Sequence, residues 1–429
     1  MKKHVILITL ILFFVGCKEK SSSSLVLTNV NIVNVKTGKN YKCNLQIIDG
    51  NISKVTKENL EGNNKIDLEG KYIMPSLWDM HVHLHGDKQK LNEFFKRGIL
   101  GVRDLGAFGI KEVDSLVKWS NELENNPILE YPKIKYAGFI NNDSTCFSGH
   151  KNISTYEDLI ESANFLNKIN SSYYKIHNCF PVELLENLDS LATQNDFIFG
   201  GHIPEGIDPF EYLSKFKNIN SVEHIGIFIR ALSYRKENPL NLIEAVALLD
   251  GPYLDSIAQT MKEKNISFTP NLVTEVEFIK SYPEDKKKLG EAYLKKLMNY
   301  TKRLSDKGVN ILAGTDTGLD NIKAGESLYE ELVLLSEAGI SNLKVLQSTT
   351  MNADKANRKF PNLIEQNSKA NLIILNDNPL ENLSTLKSPF GIVHNGIFKK
   401  WTTKWYTLWY TGDNQKTKPP ENQWLTGGF

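Results

Sequence analysis

The stretch SLWDMHVHLHG, Ser76–Gly86, places three of the chain's nine histidines at alternating positions. In a β-strand, residues i and i+2 point to the same side of the strand. His81 and His83 therefore share one face of a predicted strand and can reach a single metal ion, whereas His85 falls in the loop beyond it. The alternative is a chance cluster of histidines on a solvated edge. The other strand ends of the chain decide between these interpretations.

Composition places the chain among ordinary globular proteins. Its 429 residues suffice for one large or two medium domains, and 41% of them are hydrophobic and 24% charged. The formal net charge of +1 gives no electrostatic basis for binding nucleic acid, so we expect no nucleic-acid partner.

Residues 1–17 have the pattern of an export signal. A short basic start precedes an apolar run from Val5 to Val15, which is too short for a comfortable membrane span and fits the hydrophobic region of a signal peptide. The ending FFVGC resembles a bacterial lipobox, so Cys17 is the predicted lipidation site; a true membrane helix is the alternative. Residues 18–24 resemble a flexible tether. We therefore expect a lipid-anchored protein outside the cytoplasm, on a bacterial membrane facing the periplasm or the cell surface.

Three further cysteines, Cys43, Cys146 and Cys179, lack the CxxC spacing of a structural zinc site. An oxidising compartment permits a disulfide between two of them, but the sequence does not select the pair. We expect Cys43 to be a buried free thiol.

The two ends of the predicted globular region have the pattern of short strands. Residues 25–72 include the hairpin signal Asp49-Gly50, and residues 368–402 include the similar signal Asn395-Gly396. Because both segments flank a long middle region, they are predicted to build one small composite β-sandwich.

Residues 73–367 alternate eight short apolar strands with amphipathic helical stretches. This alternation and this length predict an α/β protein with a (β/α)8 TIM barrel. A doubly wound open sheet is the alternative, but no glycine-rich phosphate loop opens a first βα unit. The aromatic-rich tail, residues 403–429, is expected to pack on the sandwich; covering a second copy in a homo-oligomer or touching a membrane are the alternatives.

Active sites of such barrels lie at the carboxyl ends of the strands. Metal-binding and basic side chains occur at these predicted ends in chain order: His81, His83, Lys175, His202, His224 and Asp316. Imidazole and carboxylate are common ligands of Zn²⁺ and similar divalent ions. The set therefore predicts a metal centre at one end of the barrel.

Five motifs together resemble the amidohydrolase superfamily, in its imidazolonepropionase-like and prolidase-like branch: MPSLWDMHVHLHG, SYYKIHNCF, FIFGGHIPEGIDPFEYL, NSVEHIG and NILAGTDTG. The terminal strand segments also resemble the split β-sandwich of that family. The resemblance extends from about residue 25 to residue 401 and implies the same barrel-plus-sandwich fold.

The resemblance also implies a ligand set for two divalent ions. His81, His83 and Asp316 would hold the more buried ion, and His202 and His224 would hold the second. Zinc is the favoured metal, with manganese, iron and cobalt as alternatives.

The resemblance further implies a role for Lys175 and for Asp316 in the reaction. Carboxylation of the Lys175 amine would give a carbamate that bridges the two ions. A hydroxide shared by the ions would attack an amide carbon, while Asp316 acts first as general base and then as general acid toward the leaving nitrogen.

Three residues are candidates for contacting substrate. His150 follows the third predicted strand, where relatives carry a Gly-His in a substrate loop; a solvated loop histidine is the alternative. His177 lies two residues after Lys175 and can face the substrate. Arg103 ends the second strand and can bind a substrate carboxylate, although an internal ion pair supporting the metal ligands is the preferred interpretation.

The favoured function is hydrolysis of a carbon–nitrogen bond in a small amide, an N-acyl amino acid, a dipeptide or a cyclic amide. One alternative is a mononuclear hydrolase of cyclic amides in which Lys175 is unmodified. Another is a surface lipoprotein that binds a metal or solute without turnover. Asp316, as an acid–base residue within GTD, argues against the non-catalytic alternative.

Overall fold

The computed structural model describes residues 24–126, 128–143, 151–359 and 362–401. The predicted signal segment with Cys17, the candidate residues Cys146 and His150, and the tail 403–429 lie outside these ranges. Within these ranges, no helix combines the length and the apolar character needed to cross a membrane.

Strands and helices alternate along most of the described chain. The strands are β1 (Ser24–Asn34), β2 (Lys39–Ile48), β3 (Asn51–Thr56), β4 (Lys65–Asp67), β5 (Tyr72–Pro75), β6 (Leu77–Val82), β7 (Ile99–Asp104), β8 (Lys133–Tyr136), β9 (Ile140–Asn142), β10 (Lys151–Asn152), β11 (Tyr173–Ile176), β12 (Ile198–Gly201), β13 (Ile219–Glu223), β14 (Ser267–Thr269), β15 (Asn310–Ile311), β16 (Leu372–Leu375), β17 (Gly391–His394) and β18 (Ile397–Lys400). The helices are α1 (Gln89–Lys96), α2 (Ile110–Asn125), α3 (Tyr156–Lys168), α4 (Leu185–Asn195), α5 (Pro209–Lys215), α6 (Ile227–Tyr234), α7 (Leu242–Asp250), α8 (Tyr253–Glu263), α9 (Leu272–Lys280), α10 (Glu284–Lys307), α11 (Glu326–Glu337), α12 (Asn342–Ser348) and α13 (Met351–Ala356), with short 3-10 helices at Val182–Leu184 and Leu383–Lys387.

The two ends of the chain share one sheet. Its strand order is β18-β17-β16-β5-β1-β2-β3, and β4 pairs with β1. Apolar side chains from both ends, among them Leu27, Leu45 and Ile374, form a common buried cluster. The composite sheet is thus observed, while its arrangement as a sandwich stays a prediction.

Two tight turns of this sheet pack against each other. Asp49-Gly50 and Asn395-Gly396 both have positive φ at each residue, which is the geometry of the hairpin turns that their sequences predict. A Cβ on Gly396 would lie 2.7 Å from Gly50 Cα. Glycine is therefore required at Gly396 both by its backbone angle and by this close approach.

The strand predicted across residues 72–83 is divided at Ser76. Residues 72–75 form β5, which pairs with β1 and β16 in the composite sheet, whereas β6 begins at Leu77 and pairs with β7. Pro75 has no N–H to donate, so it is suited to the end of a strand. Residues 73–75, which the sequence assigns to the barrel segment, therefore pair within the composite sheet.

The middle of the chain forms two parallel sheets. One has the order β6-β7-β8, and the other has the order β10-β9-β11-β12-β13-β14-β15. Isolated parallel bridges join Val82 to Thr317 and Ala107 to Phe139, so the two parallel sheets are connected at these points. The connecting helices bury apolar faces against these strands, as Leu159, Ala163 and Leu166 of α3 do.

Among the cysteines within the described ranges, Cys43 is a buried free thiol, as predicted. Burial raises the pKa of this thiol to about 12, so it is protonated at neutral pH. Cys179 takes part in a disulfide bond.

His394, at the end of β17, is buried without charge in the composite sheet. Only 5% of its surface is exposed, and its ring meets the edge of Phe95 with 5.1 Å between centroids. Burial lowers the pKa of His394 to about 4; nearby Lys399 acts in the same direction and Glu130 opposes it.

We expect His394 to make the fold sensitive to acid. The His394 ring takes up a proton below about pH 6.5 in the unfolded chain but only near pH 4 in the folded chain. Its contribution to the unfolding free energy is therefore fully present above about pH 6.5 and is lost as the pH falls toward 4. Between pH 7 and pH 5 the wild type should lose about 2 kcal/mol more unfolding free energy than His394→Gln. Urea unfolding at both pH values measures the difference, and equal losses in the two proteins would contradict the prediction.

Candidate metal centre

Three histidines surround one buried carboxylate at the carboxyl ends of the parallel strands. The Nε2 atoms of His81 and His83 lie 3.3 Å and 3.4 Å from Asp316 Oδ1, and His224 Nε2 lies 3.7 Å from Asp316 Oδ2. One ligand atom from each of His81, His224 and Asp316 falls within 4.8 Å of the others. A divalent cation placed among these atoms would have nitrogen and oxygen donors on several sides.

A second set of imidazoles continues from this cluster. His224 lies between the two sets, with its ring centroid 4.9 Å from that of His81 and 4.8 Å from that of His202. The His177 ring lies 4.0 Å beyond His202. The structure therefore brings the predicted ligands from four separate strands into one continuous group.

Left-handed backbone at the strand ends turns key side chains toward the site. His224 has φ +66°, Asp316 φ +61° and Asn271 φ +52°. Consecutive strand residues normally face opposite sides, yet both Glu223 and His224 contact the histidine cluster. This conformation costs a non-glycine residue roughly 1–2 kcal/mol, and such strain typically collects at functional sites.

Hydrogen bonds select which imidazole nitrogen faces the centre. The Nδ1 atoms of His83, His81 and His202 contact the oxygens of Gly106 (2.8 Å), Asn271 (3.2 Å) and Asn178 respectively. An acceptor at Nδ1 holds the ring proton there and leaves the Nε2 lone pair free to bind a cation.

Sequence analysis missed the two amides in this arrangement, Asn178 and Asn271. Asn178 follows β11 by two residues and Asn271 follows β14 by two residues, so both occupy the strand-end segments in which the predicted ligands lie. That position is the signal that would have identified them, because amide oxygens are suitable acceptors for ligand imidazoles.

The local electrostatics favour neutral imidazoles around an ionised carboxylate. Burial lowers the pKa of His83 to about 3 and that of His224 to about 4. Burial alone would raise the pKa of Asp316, but His81, His224 and His83 outweigh it and hold that pKa well below its ordinary value. Neutral His83 and His224 beside one ionised carboxylate form a donor set that suits zinc and related metals.

Lys175, on β11, carries a buried amine. Its side chain is 1% exposed, and Nζ has no hydrogen-bond partner among the described residues. Burial lowers the pKa of Lys175 to about 8, against the opposing effect of Glu223 and Asp316. A buried amine that is partly neutral and lacks a partner fits carboxylation, which needs the unprotonated nitrogen.

Arg103 forms the internal ion pair that the sequence favours. Its Nη2 donates to Glu223 Oε1 at 2.8 Å and its Nε donates to Met80 O at 2.7 Å, while the guanidinium packs over the Tyr173 ring. Burial would raise the pKa of Glu223, but Arg103 and His81 hold it well below its ordinary value. Because Arg103 is buried with these donors committed, the structure replaces the substrate-carboxylate interpretation with the internal pair.

The other histidines occupy different surroundings. His177 is half-buried, and its ring packs against that of His202. His85 stacks on Phe108 and approaches Glu112 at 3.6 Å, outside the cluster around Asp316. The candidate His150 lies outside the described residues.

Asn142 is a buried amide that the sequence analysis did not identify. It is fully buried, and neither its nitrogen nor its oxygen has a hydrogen-bond partner in the part of the chain that the structure describes. The β9–β11 register pairs Ile140 with Lys175, and Asn142 follows Ile140 by two residues. By strand alternation, Asn142 therefore lies on the face of the sheet that carries Lys175.

Residues 72–399 match the amidohydrolase family. Over 112 residues the chain is 32% identical to an adenine deaminase from Clostridium perfringens, a match that covers 23% of this chain and 20% of that protein. The chain thus spans about a fifth of the length of that curated relative.

Two solved structures resemble the chain over most of its length. A prolidase complexed with N-methylphosphonate-L-proline has a TM-score of 0.68 at 17% identity, covering 89% of this chain and 100% of that one. A Xaa-Pro dipeptidase with methionine bound in its active site has a TM-score of 0.68 at 19% identity, covering 88% and 100%. Such likenesses establish a TIM-barrel fold of α/β composition.

Two adjacent asparagines in β9 are expected to respond oppositely to replacement by leucine. Asn142→Leu should raise the unfolding free energy of the metal-free chain by about 1 kcal/mol, since it removes an unpaired buried amide. Asn141→Leu should lower it by about 2 kcal/mol, because Asn141 donates to Lys175 O and accepts from Ser162 Oγ. Urea unfolding measures both changes, and equal destabilisation by the two variants would show that Asn142 has a structural partner.

Proposed function

Because this chain belongs to the amidohydrolase family, we propose that it is a metal-dependent hydrolase of a carbon–nitrogen bond in a small substrate. Membership of the amidohydrolase family, which the motifs indicate, is confirmed, and structural likeness to a prolidase and to a Xaa-Pro dipeptidase supports the prolidase-like branch. One observation carries the proposal: the Nε2 atoms of His81, His83 and His224 converge on the buried Asp316 carboxylate. Such a donor set binds divalent cations and serves hydrolysis in many metalloenzymes.

The proposed ligands form two groups. His81 and His83 with Asp316 would hold one ion, and His202 with His224 would hold the other. Lys175, carboxylated at Nζ, would bridge them; its amine is buried and has no partner within the described ranges, which supports this role. When bound, the metal would polarise the substrate carbonyl and lower the pKa of a water molecule. Zinc suits the donors, as do manganese, iron and cobalt.

Asp316 is the proposed acid–base residue. Its carboxylate is ionised, so it can accept a proton from the attacking water and deliver that proton to the leaving nitrogen. In the balanced reaction, hydroxide adds to the carbonyl carbon, the carbon–nitrogen bond breaks, and the amine leaves carrying the transferred proton. The strained backbone at Asp316 holds the carboxylate at the centre of the histidine group.

The preferred substrates are dipeptides and N-acyl amino acids. Structural likeness to a prolidase and to a Xaa-Pro dipeptidase supports this class. His177, which is half-buried with its ring 4.0 Å from that of His202, is the proposed substrate-contacting residue. The alternative is a hydrolase that uses a single metal ion and acts on cyclic amides. Sequence similarity to dihydroorotases supports this alternative, so cyclic amides are included among the substrates assayed below.

Three further proposals concern the protein as a whole. The bridges between the two parallel sheets support a closed eight-stranded barrel. The lipobox-like FFVGC supports lipid anchoring through Cys17 to a bacterial membrane, facing the periplasm or the cell surface. A sandwich formed by the composite sheet would flank the barrel.

Metal content tests the bridging role of Lys175. We expect the full chain, expressed with zinc and bicarbonate, to hold about two ions, and Lys175→Ala to lose at least one of them. Lys264→Ala is the matched control. The Lys264 amine donates hydrogen bonds to the backbone carbonyls of Leu213, Ser214 and Phe216 and is not a predicted metal ligand, so its loss should leave the metal content unchanged. Elemental analysis measures the stoichiometry. About one ion, unchanged in Lys175→Ala, would favour the mononuclear alternative.

Replacement of Asp316 tests the acid–base role. Asp316→Asn keeps the side-chain shape and an oxygen ligand, so metal should be retained while hydrolysis falls by about 100-fold or more. The assay is release of free amino acid from Xaa-Pro dipeptides and N-acyl amino acids, and ring opening of cyclic amides.

The control for this variant is Asp354→Asn. Asp354 is also largely buried, but its carboxylate accepts from the Asn362 amide rather than contacting a predicted ligand. Turnover by Asp316→Asn within a few-fold of the wild type would remove Asp316 from the mechanism. A metal-loaded wild type that hydrolyses none of these compounds would favour the solute-binding alternative.

A further inference from the structure

We infer that Glu223, held in place by Arg103, is a positioning residue that acts together with Asn271 to determine which nitrogen of His81 binds the metal. The inference rests on the proposed metal-dependent function, but its measurement requires metal binding alone and no turnover.

Glu223 connects the buried ion pair to His81. It is the last residue of β13 and is completely buried. Its Oε1 accepts from Arg103 Nη2 at 2.8 Å and from Ser221 Oγ. Its Oε2 has no hydrogen-bond partner among the described residues and lies 3.4 Å from His81 Nδ1, as a close contact behind the ring. Oε1 of Glu223 is thus occupied by the Arg103 guanidinium, and Oε2 lies beside the imidazole of His81, a predicted metal ligand.

Arg103 ties three strands together at this point. From β7 it reaches Glu223 on β13, and its Nε donates to Met80 O on β6 at 2.7 Å. Met80 immediately precedes His81, so the same guanidinium restrains both the backbone beside His81 and the carboxylate behind it. The guanidinium is planar and carries five N–H donors in fixed directions, so it can hold an acceptor in one orientation.

His81 Nδ1 faces only acceptor atoms in the described structure. Besides Glu223 Oε2 it contacts Asn271 Oδ1 at 3.2 Å, and the Asn271 amide nitrogen is committed to Gly314 O at 3.0 Å. The ring proton therefore stays on Nδ1. His81 Nε2, which lies 3.3 Å from Asp316 Oδ1, keeps its lone pair for the metal.

The substitution Glu223→Gln tests this arrangement while preserving side-chain shape. Arg103 carries donors only, so the new amide must turn its oxygen toward Arg103 and its NH2 toward His81 Nδ1. A donor facing Nδ1 favours the tautomer with the proton on Nε2, which blocks the metal-binding nitrogen. We expect the dissociation constant for Zn²⁺ to rise by about 10- to 100-fold.

Two readouts follow the change in the full chain. Competition with a fluorescent zinc chelator measures the dissociation constant, and ¹⁵N NMR of the metal-free protein reports the His81 tautomer. Glu331→Gln is the matched control. Glu331 is another completely buried carboxyl, but its Oε2 accepts from the Val273 amide instead of facing a predicted ligand. It should leave both readouts at their wild-type values.

The double variant Arg103→Met/Glu223→Gln tests the contribution of Arg103. Without the guanidinium, the new amide at position 223 is free to present its oxygen to His81, so Zn²⁺ affinity should be intermediate between that of Glu223→Gln and that of the wild type. Removing both buried charges together is better tolerated than removing one. The double variant therefore keeps the test available if Glu223→Gln alone does not fold.

The outcomes separate this inference from the proposed function. Wild-type protein that binds no Zn²⁺ would overturn both. Wild-type protein that binds Zn²⁺, with Glu223→Gln binding within threefold of it and showing the same His81 tautomer, would overturn only the role of Glu223. A double variant no tighter than Glu223→Gln would overturn the role of Arg103 in orienting the side chain.

Discussion

The Asp316 carboxylate is the charge on which the arrangement of the site depends. An ionised carboxylate removed from water is costly unless nearby groups compensate it. Its neighbours His81, His83 and His224 direct their Nε2 atoms toward it, yet burial keeps at least two of these rings neutral. Neutral dipoles compensate an anion only partly. A divalent cation among them would complete the balance, which is why metal binding is the function that this geometry supports best.

The site keeps several features that a purely stable fold would avoid. His224 and Asp316 hold left-handed backbone, Lys175 buries an amine without a partner among the described residues, and Asn142 buries an unpaired amide. Each costs free energy in the isolated chain. They share one face of the parallel strands, where a metal or substrate could satisfy them. The surrounding sheets and helices supply the stability that allows this local cost.

Residues that would not touch the metal hold the predicted metal ligands in place. The Arg103–Glu223 pair joins β7 to β13 and reaches the backbone of β6 through Met80 O. A buried pair of this kind is weak evidence for stability by itself, because desolvation offsets most of the attraction. Its value here is orientation, since it places an acceptor behind a metal-ligand ring. The same logic applies to Asn178 behind His202.

Sequence by itself determined the parallel α/β region, the terminal strands that share a sheet, and the residues at the strand ends, because periodicity and residue chemistry are local properties. It also indicated the ligand candidates from His81 to Asp316. Only the tertiary structure decided that Arg103 pairs with Glu223 instead of facing substrate, that Asn142 lacks a partner within the described ranges, and that the strand divides at Ser76. These features depend on contacts between residues far apart in the chain and on backbone angles at strand ends, which no local pattern specifies.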